Sequence, residues 1–304
     1  MKEIKSLIGF LNIGNICYIS SVLQCFIYNE GFIEFILSLE NEEDLFIKEL
    51  IKIVKNTHIE SEENKFIILN LLTFIKLFMK EKPSFKCFDQ NDSHEFLMFF
   101  MDLIYEKTKS INSIFKKLYY GEIKSTVICS NCNSSSHTLN EFNTINLSIT
   151  NISNTHDFSK NNLIDMFCEY LKEESYDGFY CEKCKDKYKC VKKYSINKLP
   201  DNLIIVFNRY SPHGHKYNNF ISFPFEDLKI KEKINNEIIS YNLNGIVNHF
   251  GMHSQAGHYT SMNKINNNWF HMNDSNITLI NDFNAFKSCY SYILFYSKSI
   301  KEIN

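Results

Sequence analysis

Two short segments constrain the fold of this chain more than any others. "CSNC" (Cys129, Cys132) and "CEKC" (Cys181, Cys184) are Cys-x-x-Cys pairs with residues 133 to 180 between them. Two such knuckles at the ends of β-hairpins supply four thiolates in a tetrahedron with no open position, the ligand set of a structural zinc ion. Reduced thiols or a redox pair would use the same residues differently; the presence of all four ligands favours zinc. The spacing of Cys190 does not fit a knuckle. The chain has 10 cysteines. Its start lacks the apolar run and small-residue cleavage site of a secretory signal, so thiols, metal ligation or catalysis are expected before disulfides. The expected location is a reducing interior, cytoplasmic or nuclear.

The texture of the chain changes near Tyr119. Before it, "CYISSVLQCFIYN", "EEDLFIKELIKIVKN" (Glu42 to Asn56), "KFIILNLLTFIKLFMKEK" (Lys65 to Lys82) and "DQNDSHEFLMFFMDLIYEK" (Asp89 to Lys107) carry apolar residues at helical spacing. Asp92 and Glu95 stand as an acidic capping box at the start of the last of these. After Tyr119, β-branched and aromatic runs alternate with polar residues: "YYGEIKSTVICSNC", "YKCVKKYSINKLP", "NLIIVFNRYS", "SYNLNGIVNHFG", "GHYTSMNKI", "NWFHMND" and "SYILFYSK". Only "NNLIDMFCEYLKEE" (Asn161 to Glu174) reads as helix in this part. Helices followed by strands predict an α+β fold. The lysines at 183, 185, 187, 189, 192 and 193 are interleaved with Glu182 and Asp186 and read as a solvated hairpin tip. With 304 residues and a net charge of -2, the chain has no basic surplus for a nucleic-acid backbone. Leu7 to Phe26 is apolar on average but is interrupted by Asn12, Asn15, Ser20, Ser21 and Gln24, so no membrane span is expected. No repeat or linker breaks the chain, and a single unit over residues 1–304 is expected, without an attached partner-binding domain and monomeric.

The stretch "GFLNIGNICYISSVLQCFIYN" (Gly9 to Asn29) puts Cys17 after two asparagines and two glycines, at the start of an apolar helix. The unpaired N–H groups of a helix N-terminus favour the charged form of a thiol. Gly14 permits close approach of the backbone to a substrate. Asn12 offers an amide that, with the Cys17 N–H, suits a developing oxyanion. A core cysteine would need no such preface. A thiol nucleophile also needs an imidazole and a group to orient it. Of ten histidines, His58, His137 and His156 sit in polar surroundings, and His213 and His215 flank Gly214 in an expected loop. His258 follows Gly257 and leads an alternating stretch, at the start of a strand. A hairpin to "WFHMNDS" would bring Asn273 or Asp274 beside it, and either can accept the imidazole N–H.

These blocks resemble the ubiquitin-specific proteases, the papain-like deubiquitinases. "GFLNIGNICYISSVLQ" resembles that family's cysteine box. "YNLNGIVNHFGMHSQAGHYTSM" with "WFHMNDSNIT" and "SYILFYS" resembles its histidine box. "QNDSHEFL" resembles the Gln-Gln-Asp-x-x-Glu-Phe-Leu motif, and "LPDNLIIVFNRY" the Leu-Pro-x-x-Leu-x-x-x-Leu-Lys-Arg-Phe strand. The match runs from about Gly9 to Tyr296 in the family's order. Phe10, Ile16, Ser20, Asn91 and Asn208 depart from the pattern, and none of them removes a chemical group of the triad.

The resemblance implies a papain-like fold with a helical thumb (about 1–118), zinc-ribbon fingers (about 119–200) and a β-rich palm (about 201–304). It implies Cys17 as nucleophile, His258 as base, Asn273 as orienter with Asp274 assisting, and Asn12 as oxyanion donor. The substrate that it implies is ubiquitin on a conjugated protein, cut after its terminal glycine. Its Leu-Arg-Leu-Arg-Gly-Gly tail would run past Gln90, Asp92, Glu95, Gly257 and Tyr259, with carboxylates suited to the tail arginines. Cys129, Cys132, Cys181 and Cys184 would hold zinc at the fingertips. No organic cofactor is implied.

Overall fold

The change of texture at Tyr119 is where helices give way to sheets in the computed structural model, which describes residues 6–58, 66–83, 85–86, 88–149, 162–211, 216–253, 256–282, 286 and 289–299. The expected loop around His213 and His215, and the expected surface position of His156, lie outside the described residues.

Strand β1 (Leu7–Phe10) leads through the Asn/Gly preface into helix α1 (Cys17–Ile27), and α2 (Glu30–Ser38) follows at once. Asn29 caps α2 by accepting the Phe32 amide at 2.9 Å. Helix α3 (Leu45–Lys55) begins at Asp44, whose carboxylate accepts the Phe46 and Ile47 amides. The expected helix over 65–82 is two elements, strand β2 (Phe66–Leu69) and helix α4 (Leu72–Glu81). The open edge of β1 takes β2 in parallel, Ile8 opposite Ile67, and Asn70 accepts the Leu72 amide where the helix starts. Pairing with a distant edge thus outweighs local helix propensity. Helix α5 (Ser93–Lys107) opens at Asp92, which accepts the His94 amide at 2.7 Å, and α6 (Asn112–Tyr119) closes the helical part.

Then come β3 (Gly121–Cys129), β4 (Ser135–Phe142), β5 (Ile145–Ser148), α7 (Leu163–Tyr170), β6 (Glu174–Cys181), β7 (Asp186–Lys198), β8 (Asn202–Asn208), β9 (Leu228–Lys231), β10 (Ile238–His253), β11 (Ala256–Ile265), β12 (Asn268–Asn273), β13 (Asn276–Leu279) and β14 (Ser291–Lys298). Helix α7 is shorter than expected, because Glu174 already pairs with Lys192 in a sheet.

An eight-stranded sheet runs in the order β13-β12-β11-β10-β14-β8-β5, with β9 beside β10. Its strands alternate between two cores. On β8, Ile204 and Val206 face the core under the helices, and Leu203, Ile205 and Phe207 face the opposite one. On β14, Ile293 and Phe295 oppose Leu294 and Tyr296 in the same way. Every residue of α1 is buried, which explains why its sequence is apolar or small all round except at Gln24, whose Nε2 donates to the Ile8 carbonyl at 2.7 Å. A four-stranded sheet, β4-β3-β7-β6, stands apart.

Candidate active site

The Asn/Gly preface builds a tight passage into α1. Gly14 (φ 127) and Asn15 (φ 49) both take left-handed backbone. The Asn12 side chain accepts the Gly14 amide at 3.1 Å and donates Nδ2–H to Asp274 Oδ2 at 2.9 Å. Asn15 donates to the Phe88 carbonyl, which ties the passage to the segment before α5. Ile16 stands at the cap position, and no side chain caps α1. The helix therefore begins at Cys17 without a side-chain oxygen in the way, and Cys17 is 6% exposed.

Gly9 explains how the two ends of the chain come so close. A Cβ there would lie 2.7 Å from the Ser275 carbonyl, so only glycine lets β1 lie against the turn after β12. The Phe10 amide donates to the Asp274 carbonyl at 3.0 Å, and Asp274 itself is left-handed (φ 53). Gly9 opens the stretch that resembles the cysteine box, but the sequence alone assigns it no role.

The hairpin of β11 and β12 sets Asn273 Oδ1 2.6 Å from His258 Nε2. A carboxamide oxygen only accepts, so Nε2 carries the proton, and Nδ1 is left for the thiol. His258 hydrogen-bonds Cys17, and that bond is the first cause of its pKa rising to about 9; burial opposes the rise, while Asn273 and the charge of Asp274 add to it. Asp274 meets Asn12, not His258, through its carboxylate. Segments more than 240 positions apart thus form one Cys–His–Asn line with Asn12 beside it.

From the segment before α5, Gln90 Oε1 accepts the Gly257 amide at 3.1 Å. Gln90 and Glu95 are exposed. Besides capping α5, the Asp92 carboxylate accepts the Tyr292 hydroxyl at 3.0 and 2.9 Å. Tyr259 is buried, with its ring 4.4 Å from that of His249 and interacting with Ser93 at the head of α5. Tyr292 and His249 join this group although sequence reasoning passed over them. Buried Tyr and His in apolar strands carry no motif of their own.

At the far end of the four-stranded sheet, the sulfurs of Cys129, Cys132, Cys181 and Cys184 all lie within 4.8 Å of one another. A tetrahedral Zn–S₄ site has sulfurs about 3.8 Å apart, given bonds of about 2.3 Å. Cys132 and Cys181 are 3.6 Å apart. The two knuckles are alike: Asn133 N donates to Cys129 O at 2.9 Å, Lys185 N to Cys181 O at 2.8 Å, and both Asn133 and Lys185 are left-handed. Asn131 Nδ2 donates to the Cys184 sulfur, and the Ser134 hydroxyl lies 3.0 Å from Cys132 and 3.3 Å from Cys181. Polar hydrogens around a sulfur cluster suit thiolates that share a cation. Cys190 lies opposite Cys129 in register but outside the cluster.

Comparison with known proteins agrees with this geometry. Residues 8–296 match the family model described as ubiquitin carboxyl-terminal hydrolase. Ubiquitin carboxyl-terminal hydrolase Usp2 of Drosophila melanogaster is 25% identical over 98% of this chain and 35% of its own length. Ubiquitin carboxyl-terminal hydrolase 2 of Rattus norvegicus is 24% identical over 97% of this chain and 54% of its own. The chain thus spans about a third to a half of these relatives. The SAGA Ubp8/Sgf11/Sus1/Sgf73 DUB module bound to ubiquitin aldehyde contains a chain 27% identical, with a TM-score of 0.81 over 99% of this chain and 71% of that one. On the family model and the fold together, the chain belongs to the ubiquitin carboxyl-terminal hydrolase family.

Proposed function

We propose that the chain hydrolyses the bond after the C-terminal glycine of ubiquitin and so releases ubiquitin from conjugated proteins. The observation that carries this is the line Cys17–His258–Asn273, assembled from the two ends of the chain in a fold of the matching family. His258 takes the thiol proton at Nδ1, and Asn273 holds the ring by its Nε2–H. The thiolate attacks the glycine carbonyl. One Asn12 N–H is fixed on Asp274, and the amide's second N–H and the Cys17 backbone N–H hold the oxyanion. His258 then protonates the leaving lysine amine, and water hydrolyses the thioester. Asp274 acts on Asn12, so it orients the oxyanion donor as well as adding negative charge near His258.

The ubiquitin tail runs between the head of α5 and the β10–β11 hairpin. To bind there its arginines compete with Tyr292 for Asp92, while Glu95 is open to them. Cys129, Cys132, Cys181 and Cys184 would hold one zinc ion, which would supply a structural cross-link and no step of the reaction. We read the helical part as thumb, the four-stranded sheet as fingers and the large sheet as palm. Among the described residues, no helix is long and apolar enough to cross a membrane. We place the protein in a reducing interior, cytoplasm or nucleus, because its proposed nucleophile and metal ligands are thiols, and we read it as a monomer.

A panel of electrophiles tests the reading. Ubiquitin with a C-terminal electrophile should label wild-type protein and not Cys17→Ala, whereas other ubiquitin-like modifiers should label poorly. Undiminished turnover by Cys17→Ala would overturn the nucleophile, and preferential labelling by another modifier would overturn the substrate.

A further inference from the structure

Behind the histidine that the reaction uses lies one that it does not. His249 on β10 is fully buried. In register it faces Tyr259, and its neighbour Phe250 faces His258. Its Nδ1 is 2.6 Å from the Tyr210 hydroxyl and 3.2 Å from Lys216 Nζ, and the same ammonium donates to the His249 carbonyl at 2.6 Å. An ammonium only donates, so Nδ1 carries a lone pair and the proton sits on Nε2. That Nε2 is buried and meets no acceptor.

The Nε2 edge abuts Gly257. A Cβ on Gly257 (φ 153) would lie 2.6 Å from Nε2, and one on Gly251 would lie 3.0 Å from Cε1. Gly257 directly precedes His258, and its amide donates to Gln90. The other side of the ring packs 4.4 Å from Tyr259, directly after His258. One imidazole therefore touches the residues on both sides of His258.

We propose that His249 is a positioning residue for His258: Tyr210 and Lys216 fix its ring and tautomer, and it braces the Gly257–His258–Tyr259 backbone from behind. The inference rests on His258 being the base.

Charge explains why the brace must be neutral. Arg209 and Tyr210 come from the end of β8, and Lys216 lies just beyond. Cys289, Tyr290 and Tyr292 face the group from before and within β14. Asp92 acts on Tyr210, Tyr259 and Tyr292 from the head of α5. Burial first, then the charges of Lys216 and His258, push His249 down to about 3. Burial and Arg209 lower Lys216 to about 8, so it still holds its proton at neutral pH. A second imidazolium here would oppose the His258 imidazolium that pairs with Cys17. Removing Lys216 raises the pKa of His249, so the acid side of the pH profile would move to higher pH.

Nitrogen NMR of the imidazoles in wild-type protein should show His249 unprotonated at Nδ1 and protonated at Nε2 from pH 5.5 to 8. A proton on Nδ1, or a titration within that window, would overturn the proposal. Lys216→Met and Tyr210→Phe should each lower kcat on the order of tenfold with little change in KM, because small misplacements of a catalytic group cost rate. Lys216→Met should also move the acid limb upward, and Lys216→Arg should restore the wild-type profile. Folded variants with unchanged kcat and pH profile would sink the idea. His258→Ala separates the two readings: retained turnover there refutes the base, whereas the tautomer is measured without any reaction.

Discussion

Under the helices, Phe26, Phe32 and Phe100 pack with ring centroids 4.8 to 6.3 Å apart, and Phe46, Phe74, Phe78 and Phe96 continue the cluster. The four-stranded sheet offers a contrast. Among its described aliphatic and aromatic side chains only Ile123 and Ile196 are buried, both near its base. Strand β4 is exposed along nearly all its length, and Leu139, Tyr176 and Tyr180 face solvent. Burial of apolar rings holds the first region. The second has almost no core, and four cysteines converge where a core would be. The proposed nucleophile, Cys17, sits in the region fixed by packing, where a misplacement of an ångström would matter. In the proposed reading the sheet that grips ubiquitin would be fixed at its tip by metal ligation, which stiffens two hairpins without filling an interior.

That difference can be broken in several ways. Cys17→Ala should cut turnover by about 10³-fold or more, as loss of a nucleophile does, while thermal unfolding stays close to wild type. Phe100→Ala should lower stability by about 3–5 kcal/mol in denaturant unfolding. Leu139→Ala on the other region should stay within about 0.5 kcal/mol, as at an ordinary exposed site. Equal losses would erase the contrast. Asn12→Ala should reduce kcat by about 10²–10³-fold, the usual cost of one oxyanion donor, with little change in KM. Smaller still, chelation or Cys181→Ser should raise KM for ubiquitin conjugates about tenfold through lost ordering of the grip. Hydrogen exchange should then quicken in β3, β4, β6 and β7 and not in α1 or α5. Metal analysis should find one zinc per chain, and a chain purified without metal yet equally protected would contradict the role given to the cysteines.

Much of this was legible before any coordinates. Strands β10, β11, β12 and β14, which carry the histidine box, form where the sequence is β-branched and aromatic, and α1 starts at Cys17 where the polar preface ends. What was not legible depends on contacts between distant segments. Residues 66–69 read as helix because β1, their partner, lies nearly sixty positions earlier. Helix α2 follows α1 so closely, with Gly31 inside it, that the pattern does not separate them; Asn29 was the available cap signal. The Asp274–Asn12 bond links residues 262 positions apart, and no local pattern encodes it. His249 was hidden for the same reason, since its partners Tyr210 and Lys216 come from another part of the chain.

The proposed reaction depends on Cys17 and His258 sharing a proton. The hydrogen bond with Cys17 raises the His258 pKa to about 9, above an ordinary value of about 6.5. The protonated ring therefore adds stability that is complete below the ordinary value and lost as pH rises through about 9. Titration of His258 by NMR in wild-type and Cys17→Ala protein measures this directly. The predicted result is a midpoint near 9 in the wild type that falls by more than about one unit when the sulfur is removed. An ordinary midpoint in both proteins would contradict the pairing on which the proposed reaction stands.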